Sequence, residues 1–101
     1  MSKDNISSLD NCTKLKILYN KCRDEINDDL SKNAKNLVFG KGNSKGEILF
    51  IGEAPGAKED ELGIPFVGRA GKELDKMLHH ISLNLNDCYI ANVLKYRPPK
   101  N

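Results

Sequence analysis

The chain has 101 residues, 30% of them charged and 39% hydrophobic, with a formal net charge of +2. That is room for one small domain and not for two, and no apolar run approaches the ~20 residues that span a bilayer. Charge this near balance gives no bulk attraction to nucleic acid, and the opening MSKDNISSLDNC lacks the apolar core of a secretory signal, so the expected compartment is the cytoplasm.

From Asn11 to about Asp28, Leu15, Leu18, Cys22 and Ile26 recur at steps of three and four, which predicts a helix capped by Asp10 or Asn11. NDDLSKNAKN reads as a polar connection. LVFGKGNSKG, with glycines at 40, 42 and 46, reads as a turn-rich hairpin or an extended arm. EILFI (47–51) is a short continuous apolar run, the pattern of a strand buried on both faces of a parallel sheet. After a long loop, Leu74, Met77, Leu78 and Ile81 share one stripe and predict a helix over 71–81. DCYIANVL (87–94) is a second buried strand, and KYRPPKN leaves it in extended form. Strand, loop, helix and strand make one βαβ unit, whose crossover should be right-handed. Cys12, Cys22 and Cys88 form neither a C-x-x-C pair nor an even set, and are read as free thiols.

The loop GEAPGAKEDELGIPFVGRAG follows the first strand at its carboxyl end, where open α/β sheets bind ligands. Gly52 and Gly56 permit a tight turn, and Pro55 holds Ala54 extended. Glu53 is therefore fixed at the mouth of any site there. Glu59, Asp60 and Glu61 follow, readable as helix-capping or solvated acids. Gly63 and Gly68 have P-loop spacing, but Arg69 and Ala70 stand where Lys and a hydroxyl are required, and G-x-G-x-x-G is absent, so both cofactor loops are rejected. Phe66 either plugs the loop into the core or offers a platform on which a base can stack. Asn92, an amide within a strand, either satisfies a local backbone group or reads the edge of a pyrimidine. Lys95, Arg97 and Lys100 form a short basic end suited to phosphate or to solvent.

GEAPGAKEDELGIPFVGRAG followed by YIANVLKYRPP resembles the family 4 uracil-DNA glycosylases, over roughly Asn36 to Lys100. The resemblance implies an α/β fold: the N-terminal part of a three-layer α/β/α sandwich with a parallel sheet, truncated. It divides the chain into a helical segment, 1–35, and the first half of a glycosylase-like domain, 36–101. It also implies excision of uracil from DNA by base flipping. Glu53 and Glu59 match the family's acids that position or activate water. Gly52, Ala54, Phe66 and Asn92 match its uracil pocket, and Lys95 and Arg97 are candidate phosphate contacts.

Family members commonly bind a 4Fe-4S cluster through cysteines. The corresponding positions here are Glu25, Asp28 and Tyr96, which supply no thiolate, so a cluster-free branch with no cofactor is expected. Members run to about twice this length, and their second half brings further strands and a His-Pro motif. His79 and His80 lie on the expected helix instead. The alternatives are a half-enzyme completed by a separately encoded C-terminal half, a non-catalytic truncated remnant, or a small nucleic-acid-binding fragment.

Overall fold

The structure is a computed structural model and describes residues 9–101. The first eight residues of the expected helical segment lie outside the described residues. Helix α1 (Asn11–Glu25) starts where Asp10 accepts the Thr13 N–H at 2.8 Å, and ends three residues short of the expected Asp28. The next segment is not the plain connection expected. Asp28 and Ser31 bond each other reciprocally, Ser31 N–H to Asp28 Oδ1 at 2.9 Å and Asp28 N–H to Ser31 Oγ at 3.0 Å. This capping box nucleates a one-turn helix, α2 (Asp29–Asn33).

Among the described residues the sheet has three strands, β1 (Lys41–Gly42), β2 (Ile48–Gly52) and β3 (Cys88–Asn92), in the order β1-β3-β2. β2 runs parallel to β3, with Gly52 opposite Asn92. β1 runs antiparallel to β3, so the sheet is mixed where an all-parallel one was expected. The arm 37–46 caused the difference. It folds back along β3 as an extended arm, because Gly42, at φ 114°, passes against the Cys88 backbone where a side chain would not fit.

Between β2 and β3, where a long loop is expected before the helix, lie a short helix α3 (Ala57–Leu62) and then α4 (Arg69–His80). A 3-10 turn (Leu85–Asp87) leads into β3. The core is small: Val38, Leu78, Cys88 and Ile90 are buried, with Pro55 and Pro65 sealed beside them. β3 is the buried strand, as its central place in the sheet requires. β2 is not buried on both faces as expected. It is an edge strand with Leu49 57% and Ile51 64% exposed. On α4, Leu78 is buried and Leu74 half-buried, but Met77 and Ile81 of the same stripe face outward.

α1 buries no residue fully, and a contact at its start and an aromatic contact help tie it to the rest. Asn11 Nδ2 donates to the Ser44 carbonyl at 3.0 Å. The Tyr19 ring meets Phe39 edge-on at 5.7 Å between centroids, with the Lys95 ammonium 5.2 Å from the same ring.

Candidate functional site

The parallel pairing of β2 with β3 sets the site, because it places Gly52 and Asn92 side by side at the carboxyl ends of both strands. A Cβ on Gly52 would meet the Asn92 Oδ1, and would come within 2.7 Å of the Phe66 Cζ. Glycine is required there by space: ring and amide close over a backbone with no side chain between them. Asn92 is 5% exposed, and its amide takes no hydrogen bond among the described residues. No polar side-chain atom among them is sealed from solvent without a partner. The amide therefore opens onto a cavity of about 110 Å³ lined by Ala54, Glu59, Phe66, Gly68, Arg69, Ala70, Gly71 and Asn92. That is well below the ~300–1,000 Å³ of sites for drug-sized ligands, and suits one flat ring.

Phe66 has a left-handed backbone, φ 54°, uncommon for a residue with a side chain. Its neighbours hold it so. Glu59 Oε2 accepts the N–H groups of Val67 at 3.2 Å and Gly68 at 2.7 Å, while Oε1 accepts that of Gly56 at 2.9 Å. One carboxylate thus ties the start of α3 to the start of α4. Gly71 lies so close under the Phe66 carbonyl that a Cβ there would overlap it. Lys41 reaches from β1 to donate to the same carbonyl at 3.1 Å. Burial pulls the Lys41 ammonium below its ordinary pKa, partly offset by Asp75 and Glu59. Sequence alone marks neither Lys41 nor residues 68–71, at the start of α4, as site residues. The small residues of GRAG, needed for close approach, were the available signal for the second group.

The remaining expected residues fall outside this cavity. Glu53 is exposed one residue beyond Gly52, its carbonyl accepting the Leu94 N–H at 3.0 Å, and it does not line the cavity. Asp60, expected to be solvated or capping, is 4% exposed and accepts the N–H groups of Lys35 and Asn36 at 2.8 and 3.1 Å. It anchors the arm that leads to Val38. Lys95 turns inward, donating to the Phe39 carbonyl at 3.0 Å, with burial lowering its pKa. Arg97 Nε donates to the Asn101 carbonyl and lines a separate hollow with Asn33, Ala34, Asp60, Pro98, Pro99 and Lys100.

The residues that the resemblance sets at the cluster positions, Glu25, Asp28 and Tyr96, offer no thiolate. Asp28 is spent on capping α2, Glu25 is exposed at the end of α1, and the half-buried Tyr96 phenol is pushed up in pKa by burial and by nearby Cys22, Tyr19 and Asp28. Cys12, Cys22 and Cys88 are all unpaired thiols, exposed, half-buried and buried respectively. Among the described residues, no three His, Cys, Asp or Glu side chains gather to hold a metal ion. Nor is any helix long and apolar enough to cross a membrane.

A family model described as "Uracil DNA glycosylase superfamily" matches residues 39–101. Among curated proteins, the chain is 50% identical over 96 residues to the type-4 uracil-DNA glycosylase of Archaeoglobus fulgidus, covering 95% of this chain and 45% of that protein. It is 55% identical over 73 residues to the type-4 uracil-DNA glycosylase of Saccharolobus solfataricus, covering 71% of this chain and 34% of the relative. For that of Thermotoga maritima the identity is 49% over 72 residues, covering 71% and 38%. The chain therefore spans less than half the length of the curated relatives it matches. The likeness carried by the two sequence motifs is borne out: the chain belongs to the uracil DNA glycosylase superfamily.

Proposed function

We propose that this chain carries the base-binding half of a uracil-DNA glycosylase, the activity that cuts the N-glycosidic bond between uracil and deoxyribose. The observation that carries the reading is the meeting of the Phe66 ring and the Asn92 amide across Gly52, on a cavity sized for one base. The ring stacks on a uracil extruded from DNA, a contact worth ~1–3 kcal/mol. The amide offers both a donor and an acceptor to the edge of the pyrimidine, and Ala54 adds a backbone N–H.

Breaking the bond builds oxocarbenium character on the sugar and negative charge on the departing base. Glu53, exposed one residue beyond Gly52, stabilises the first and orients the attacking water. The Asn92 amide, the Ala54 N–H and the positive end of α4 stabilise the second. Glu59, with both oxygens engaged by backbone N–H groups, positions the loop rather than activating water. Lys95 and Arg97 contact DNA phosphates after releasing the carbonyls of Phe39 and Asn101. The half of the fold present in the longer relatives completes the site, supplied by further chain or by a separate polypeptide.

Cleavage of a uracil-containing oligonucleotide tests this, with the chain alone and with the C-terminal half of the Archaeoglobus fulgidus relative added. Cleavage should appear in the mixture and fall by about 10²–10³ in Glu53→Gln. Unchanged cleavage by Glu53→Gln overturns the role of that carboxylate. No cleavage in either arm favours the non-catalytic remnant.

A further inference from the structure

Among the described residues, the Lys41 ammonium donates to the backbone of the loop carrying the stacking ring, and the uracil reading above gives it no role. It stands on β1, opposite Ile90 of the buried strand β3, so its stem starts from the most fixed part of the sheet. From there its ammonium crosses to the Phe66 carbonyl, 25 residues further along the chain, at 3.1 Å. Two carboxylates, Glu59 and Asp75, lie near enough to act on its charge, yet among the described residues it pairs with neither. Glu59 already accepts three backbone N–H groups. The bond goes instead to the one peptide whose left-handed φ sets the direction of the ring.

We propose that Lys41 is a positioning residue for base stacking: its bond to the Phe66 carbonyl holds that peptide in the left-handed conformation that lays the ring over Gly52 beside Asn92. Glu59 holds the far side of the same peptide through Val67 and Gly68, and Gly71 leaves the carbonyl room to lie flat on α4. Lys41 closes the near side. The claim rests on the uracil reading for its use in binding, but the state of the loop can be read without any ligand.

The test compares Lys41→Met, which keeps the stem and removes the donor, with Lys41→Arg, which keeps a charged donor. In the isotope-labelled chain, the Phe66 carbonyl and the amides of Val67 and Gly68 should give one sharp set of resonances. These should shift and broaden in Lys41→Met and be restored in Lys41→Arg. Free uracil should bind Lys41→Met about tenfold more weakly, with recovery in Lys41→Arg and an unchanged urea midpoint for the sheet. Should Lys41→Met fail to fold, Lys41→Ser, polar but too short to reach the carbonyl, carries the same comparison. Loop resonances and uracil affinity both unchanged in Lys41→Met overturn the proposal, as does Lys41→Arg behaving like Lys41→Met. If the wild-type chain shows no uracil response, the uracil reading fails by itself, and the loop resonances still decide for Lys41.

Discussion

Gly52 and Gly71 are two positions where a single methyl group would change the site. A Cβ at 52 meets the tip of the Phe66 ring and the Asn92 amide, which are flexible neighbours, whereas a Cβ at 71 meets the Phe66 backbone. Gly52→Ala should therefore cost about 1–3 kcal/mol and push ring and amide apart. Gly71→Ala should cost more, because the peptide itself must move. Urea midpoints and uracil titration check both, and a fully stable Gly71→Ala chain would contradict the geometry. Glu59→Gln puts a donor where an N–H needs an acceptor, and should cost about 1–3 kcal/mol and loosen residues 66–68. At this scale the sequence showed an aromatic in a Gly-Pro loop and an amide in a strand, both residues that need a reason to be there. It could not show Lys41, because the partner is a backbone carbonyl, and a carbonyl has no residue signature.

Helix boundaries followed capping chemistry more than periodicity. Hydrogen bonds from Thr13 hold the Asp10 carboxyl below its ordinary value of 3.8. The pKa is lowered on folding, so the contribution of Asp10 is complete above the unfolded value and is lost as pH falls through the lower folded one. Far-UV circular dichroism should show α1 fraying in that acid range. Asp10→Asn should keep the cap and remove the step, and an identical acid step in Asp10→Asn would contradict the assignment. α2 and α3 escaped the reading of apolar stripes because each is about one turn long and is started by side-chain bonds to backbone, Asp28 with Ser31 and Glu59 with Gly56. Asp60 of α3, expected to cap or to be solvated, is buried against the arm before Val38. Asp60→Ala strands two N–H donors there, and should cost about 1–3 kcal/mol by urea unfolding.

For the whole molecule, the apolar run of β2 was legible as a strand but not as an exposed one. A continuous apolar pattern reports the faces a strand is built to bury, and cannot say how much of the covering structure a given stretch of chain contains. Here Leu49, Ile51 and Val93 are 57%, 64% and 70% exposed, and β2 has one unpaired edge among the described residues. The matched relatives are more than twice as long as the stretches they share with this chain. Such an edge invites pairing. The chain alone should associate as concentration rises, seen by sedimentation, and the C-terminal half of a relative should suppress that association. A dilution-independent monomer that ignores the added half would contradict this picture.

The base pocket itself is tested most directly by titrating the 15N-labelled chain with free uracil and, separately, with cytosine. Uracil should move the amides of residues 52–54, 66–68 and 92 together along one saturation curve, and Asn92→Ala should abolish the response. Those amides staying still with uracil, or moving equally with cytosine, would contradict the assignment of this cavity to a flipped uracil.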